Sequence, residues 1–118
     1  MKVYISGPMT GIEDFNRPNF EIAEKELSAH GFAVYNPGRL ILPEEFNSED
    51  LMKIDLAALS CCDAIYLLHG WSNSKGCNIE CWQAEKIGMK YIERIVEDSG
   101  LISFAIYRNF KISNVHFV

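Results

Sequence analysis

The sequence has little that would tie it to a membrane or to a nucleic-acid backbone. No apolar run reaches the roughly 20 residues that span a bilayer, and the N-terminus lacks a charged-then-apolar leader. The expected location is the cytoplasm. Basic residues are the minority, with 11 Lys and Arg against 16 Asp and Glu for a net charge of −5. No basic stripe exists to follow a phosphate backbone or an anionic membrane, so neither a nucleic-acid polymer nor a membrane is an expected partner. The chain also lacks Gly-x-Gly-x-x-Gly and the pattern Gly-x-x-x-x-Gly-Lys-Ser/Thr, which argues against an ordinary dehydrogenase or a P-loop phosphotransferase. Its four cysteines include no Cys-x-x-Cys: Cys61 and Cys62 are adjacent, and Cys77 and Cys81 are four apart. Both pairs fall inside expected regular elements, so they read as buried free thiols and no metal site is expected.

What remains is an ordinary globular composition. At 118 residues, 48% hydrophobic and 23% charged, the chain reads as a single domain over 1–118 with a core that needs no disulfide. Strand and helix signals alternate, which predicts an α/β fold with a parallel sheet. Lys2 to Ser6 reads as a strand running into the loop Gly7-Pro8-Met9-Thr10-Gly11. Asn16 is the expected cap of a helix with Pro18 in its first turn, Phe20, Ala23 and Leu27 on one face, and Gly31 at its end. A short strand, Phe32 to Tyr35, closes on Asn36-Pro37-Gly38.

Ser48 opens a second helix that ends near Ser60, with Glu49 and Asp50 in its first turn. Asp63 to Leu68 (DAIYLL) has the continuous apolar run of a strand covered on both faces. The polar loop 69–76 leads into a third helix from Cys77 to Ile87, stopped by Gly88, and Lys90 to Ile95 reads as a further strand. Leu101 to Phe110 fits helix or strand, and Lys111 to Val118 fits a last strand.

In an open parallel sheet, ligands bind beyond the carboxyl ends of the strands. Residues 7–11 and 69–76 leave two such ends, and both loops carry glycine. Two carboxylates break the helical pattern nearby. Asp55 falls inside the apolar stripe of Leu51, Ile54, Ala58 and Leu59. Glu80 heads the row Glu80, Ala84 and Ile87 in the first turn of the third helix, where the dipole would favour its ionised form. An ionised carboxylate facing a crevice suits a nucleophile, and a partly desolvated second carboxyl suits a general acid. Periodicity leaves the bland alternatives open: Glu80 as a dipole partner, and Asp55 as a solvated residue at a helix end.

The order Tyr4-Ile5-Ser6-Gly7-Pro8-Met9-Thr10-Gly11, then Asp55-Leu56 ahead of Asp63-Ala64, then Ser74-x-Gly76-x-x-x-Glu80 with Ala84 and Gly88, resembles the nucleoside 2-deoxyribosyltransferase-like family over residues 1 to 92. That family includes deoxynucleoside 5'-monophosphate N-glycosidases and cytidylate hydrolases. The resemblance implies a Rossmann-like, flavodoxin-type three-layer sandwich with a mainly parallel central sheet of four to five strands. It also implies a homodimer or larger assembly, no cofactor, and cleavage or exchange of an N-glycosidic bond.

Glu80 matches the family's nucleophile, Asp55 its acid for the departing base, Ser74 and Gly76 its phosphate-binding residues, and Gly7 to Gly11 the loop framing sugar and phosphate. Asn78 is placed to orient Glu80 or to cap the helix, and Trp71 to stack on a base or pack against another subunit. Tyr4 reads as core with a possible hydroxyl contact to the site. Thr10 stands where the monophosphate hydrolases carry an arginine, with Arg17 or Arg39 as replacements, and residues 97–118 match no closing element of the family. The expected function is hydrolysis of the N-glycosidic bond of a nucleoside or its 5'-monophosphate. The alternatives are a deoxyribosyltransferase and a non-catalytic nucleotide-binding module.

Overall fold

The computed structural model describes residues 1–115. Five strands form one sheet: β1 (Lys2–Ser6), β2 (Ala33–Tyr35), β3 (Ala64–Leu67), β4 (Lys90–Val96) and β5 (Ile102–Tyr107). Their spatial order is β2-β1-β3-β4-β5, with the first four parallel and β5 antiparallel to β4. Three helices, α1 (Arg17–Ala29), α2 (Ser48–Ser60) and α3 (Lys75–Lys86), cover the faces. This is the three-layer, Rossmann-like α/β sandwich that the resemblance implies.

Side chains alternate across the central strands, so each contributes to two cores. Val3, Ile5, Ala64, Tyr66 and Ile92 pack with Phe20, Ala23 and Leu27 of α1. Tyr4 and Ile65 pack on the other side with Leu59 of α2 and Cys77, Cys81 and Ala84 of α3. Tyr4 and Ser6, two residues apart, therefore share the α2/α3 side of β1.

The helix ends explain several differences from the sequence-based expectations. Asn16 does not cap α1 through its side chain: its backbone is left-handed (φ 63°), and its amide donates to Pro8 O at 2.9 Å. The first loop is thereby tied to α1. The other end is as expected, with Gly31 at φ 89° and Phe32 N–H bonded to Leu27 O at 3.2 Å. Helix α2 is capped one residue earlier than Ser48, by a reciprocal pair in which Asn47 and Asp50 side chains each accept the other's backbone N–H. Helix α3 starts at Lys75 rather than Cys77, because the Ser74 hydroxyl accepts Cys77 N–H. Ile87 falls beyond that helix and is 45% exposed, so it leaves the sheet-facing row, whose buried members are Cys77, Glu80, Cys81 and Ala84.

The segment read as helix or strand is β5, and the chain then returns along β4, with Phe110 N–H bonded to Met89 O. The expected last strand is replaced by a single 3-10 turn at Ile112–Asn114, and its end at 116–118 lies outside the described residues. The thiols are free, but only Cys77 and Cys81 are buried: Cys61 is exposed because it ends α2, and Cys62 is half-buried. Among the described residues, no helix is long and apolar enough to cross a membrane.

Candidate functional site

The strand order reverses direction at β1, with β2 on one side and β3 on the other. The loops leaving β1 and β3 diverge there, and a cleft of about 1770 Å³ opens at their carboxyl ends. That volume exceeds an ordinary small-ligand pocket of roughly 300–1,000 Å³, so one small ligand would fill only part of it. Gly7 lies where the two strand ends press together: a Cβ there would meet Leu68 Cδ1 at 2.6 Å. Any larger residue here would have to displace the Leu68 side chain, so glycine suits this close approach.

Glu80 is 6% exposed and reaches the cleft from α3. Both of its oxygens are held by hydroxyls of β1: Tyr4 Oη donates to Oε2 at 2.5 Å and Ser6 Oγ donates to Oε1 at 2.6 Å. Burial penalises its charge by more than these two donors stabilise it, and the charge of Asp55 adds to the effect, so its pKa is pushed up to about 7. This corrects the dipole expectation, since α3 begins five residues before Glu80, beyond the first turn. Burial and the neighbouring Glu80 charge likewise push Tyr4 well above the usual tyrosine range, so it remains a donor.

Asp55 lines the same cleft from α2, half-buried on the stripe that the sequence predicts. Its Oδ1 is buried and has no hydrogen-bond partner among the described residues. Desolvation pushes its pKa up to about 6. Tyr35 stacks on Tyr4 with ring centroids 5.5 Å apart, and burial, followed by the Asp55 charge, raises its pKa. Two carboxyls with raised affinity for protons thus lie in one cleft. Such pairs are over-represented where acid and base chemistry is done.

The structure brings most of the expected binding residues to this place. Gly7, Pro8, Met9, Thr10, Ser74 and Gly76 line the cleft, together with His69 and Lys75. Three expected contacts are elsewhere. Trp71 is 2% exposed and packs in the α2/α3 core, because the 3-10 turn at Trp71–Asn73 folds it inward from the mouth. Asn78 is exposed and donates to Ser72 O and Ser74 O, fixing the turn before α3 rather than orienting Glu80. Gly11 lies outside the cleft lining, at the far end of the first loop. Of the two arginines, Arg17 lines the cleft but bonds to Gly38 O and Asp14, while Arg39 pairs with Glu24 away from it.

Ser6 is the residue that sequence reasoning missed. Its signal was present: a hydroxyl at a buried strand position, two residues from Tyr4 and hence on the same face. Among the described residues, no three His, Cys, Asp or Glu side chains converge to hold a metal ion.

The Glu80 environment sets a stability prediction with a definite sign. An unperturbed glutamate titrates near 4.5, so its elevation to about 7 means that the fold binds the proton more tightly than the unfolded chain does. The cost of burying the charge is absent below the lower value and fully present above the higher one. Glu80→Gln is therefore expected to melt above wild type at pH 8 and to lose that advantage by pH 4, as read by thermal denaturation at the two pH values.

A family model described as "Domain of unknown function (DUF4406)" matches residues 1–93. No curated protein matches the chain.

Proposed function

We propose that this chain, which belongs to the DUF4406 family, hydrolyses the N-glycosidic bond of a nucleoside or nucleoside 5'-monophosphate. The observation that carries the proposal is Glu80, a carboxylate gripped at both oxygens by buried hydroxyls on the floor of a cleft that it shares with Asp55. The resemblance to the nucleoside 2-deoxyribosyltransferase-like family supplies the reaction. Each element of the geometry has a use in it.

Breaking C1'–N develops positive charge on the sugar, as in glycoside hydrolysis. One Glu80 oxygen attacks C1' through a lone pair left free by its hydroxyl donor, and the C1'–N electron pair departs with the base. Asp55 gives its proton to that base. Its orphaned Oδ1 and raised pKa suit a group that holds a proton until a nitrogen accepts it. Water then adds to C1' and loses a proton to Asp55, releasing the sugar and regenerating Glu80. Two displacements at one carbon give retention of configuration.

Ser74, Gly76 and the loop Gly7 to Thr10 frame the sugar and any 5'-phosphate. Hydrolysis is placed ahead of transfer because a transferase must hold a second base and also keep water from C1', and the cleft is open to solvent. The same proposal takes the protein as a cytoplasmic homo-oligomer working without a cofactor.

The test is chromatography of free base released from a panel of nucleosides and their 5'-monophosphates, with and without an acceptor base. Release without acceptor supports hydrolysis, and release only with acceptor replaces it by the transferase. Binding without product leaves a nucleotide-binding module. Ser6→Ala and Tyr4→Phe each remove a donor that holds Glu80 down in pKa. In both variants Glu80 is expected to lose its proton at higher pH, which moves the alkaline limb of the rate profile upward, a shift that general loosening of the fold would not produce.

A further inference from the structure

The two faces of the sheet are covered unequally. Helices α2 and α3 both pack on the side that carries Tyr4, while α1 packs alone on the other. The cleft crosses from one side to the other. Glu80 and Asp55 line it on the α2/α3 side, and Ile22, Glu26, Tyr66 and Arg94 line it on the α1 side. At about 1770 Å³ it has room for more than one nucleoside seated at Glu80.

The α1 side is built around Tyr66 of β3. Tyr66 is 7% exposed, and Phe104 meets its ring edge-on with centroids 6.0 Å apart. Its hydroxyl nevertheless has no hydrogen-bond partner among the described residues. A tyrosine buried this deeply ordinarily finds one. Burial, followed by the Glu26 charge, raises its pKa, so it stays a protonated donor. Tyr66 and Ile92 form the last pair of the β3–β4 ladder, and β4 runs on to Val96. Arg94 therefore passes the end of β3 on the face of Tyr66. Its Nε and Nη2 donate to the two Glu26 oxygens at 2.5 and 3.2 Å. Each of those oxygens keeps a lone pair beyond its Arg94 bond.

We infer that the α1 side of the cleft is a second compartment, which holds the far nucleoside of a dinucleotide joined through a 5'–5' pyrophosphate. The inference rests on the proposed seating of the first nucleoside at Glu80. The lining selects the occupant. Tyr66 offers a hydroxyl donor and Glu26 a carboxylate acceptor, which together suit the hydroxyls of a ribose. Ile22, 62% exposed on α1, gives a ring a face to lie against. A hydrocarbon tail would leave the Tyr66 hydroxyl and the ion pair without partners, and a lone phosphate would face the Glu26 charge. Lys75 also lines the cleft and is in no ion pair among the described residues, so it supplies a cation for the linking phosphates. The bond broken is still C1'–N at Glu80, and the second nucleoside leaves with the sugar.

Calorimetry on Glu80→Gln, which does not consume the ligand, tests the inference. It compares dinucleoside 5'–5' pyrophosphates, with adenine, guanine, cytosine or uracil at both ends, against the matching 5'-mononucleotides. The dinucleotides are expected to bind about tenfold tighter or more. Adding Tyr66→Phe leaves the ring against Phe104 and should cut that advantage about fivefold. Adding Ile22→Trp, at an exposed position, should fill the compartment and abolish it. Dinucleotides that bind no tighter than mononucleotides overturn the inference, as does an advantage that neither substitution reduces. Base release from the same ligands by the wild type separates the two proposals. Tight, Tyr66-dependent binding without release removes the glycosidase and leaves the second compartment standing. Release from mononucleotides with no dinucleotide advantage does the reverse, and absence of all binding overturns both.

Discussion

Glu80→Ala is expected to release no free base above background, a loss of about 10³-fold or more, because the proposed mechanism has Glu80 bond to C1'. The alanine variant leaves the Tyr4 and Ser6 hydroxyls facing an empty space, so Glu80→Gln belongs beside it. That side chain fills the same volume and can meet both hydroxyls, but it has no anionic oxygen. Equal loss in both variants, with wild-type nucleotide binding retained, assigns the defect to chemistry. Full turnover by Glu80→Gln would make the carboxylate a buried structural acid and remove the basis of the glycosidase reading. Chromatographic rates and calorimetric binding on the same preparations make the distinction.

The second large effect concerns Asp55 and pH together. Attack needs Glu80 ionised, so the rate rises as pH passes through about 7. Departure of the base needs Asp55 protonated, so the rate falls as pH passes through about 6. The acid has the lower value, and the reactive form, with the proton on Asp55 and the charge on Glu80, is the minor arrangement of a singly protonated pair. The expected profile is a narrow bell centred between those values.

Asp55→Asn should lower the rate by about 10²–10⁴-fold by removing proton donation. It should also remove the charge that helps to raise Glu80. The alkaline limb then disappears, and the single rise that remains follows Glu80 alone, freed of the Asp55 charge. A variant that keeps the bell and most of its rate would show that Asp55 takes no part in proton transfer.

Local pattern made much of this legible. The alternation of strands and helices gives the layered fold, and the apolar run of DAIYLL between two turn signals fits the buried strand that it forms. Asp55 was visible because an acid on an apolar helical stripe is costly without a purpose. Trp71 was misplaced because periodicity ends where a 3-10 turn begins, and no local rule says which way such a turn aims its side chain. The protonation of Glu80 was misjudged for two reasons: a helix boundary shifted by two residues, and burial by β1 is a tertiary fact. Ser6 became meaningful only when its distant partner was known. The β5 segment was ambiguous because six uncharged residues suit helix or strand until β4 offers them a ladder.

The hydroxyls that hold Glu80 precede it by 76 and 74 residues. Tyr4 and Ser6 lie on β1, and α1, β2, α2 and β3 are all made before Glu80 follows on α3. The grip on the carboxylate therefore cannot form in any early intermediate built from neighbouring segments, since closing so long a loop depends on the sheet already assembled around it. A nascent or nicked chain has the residues but not the arrangement. Recovery of turnover after dilution from denaturant would thus track docking of α3 onto β1, late in assembly, and would report the completed fold rather than its first helices.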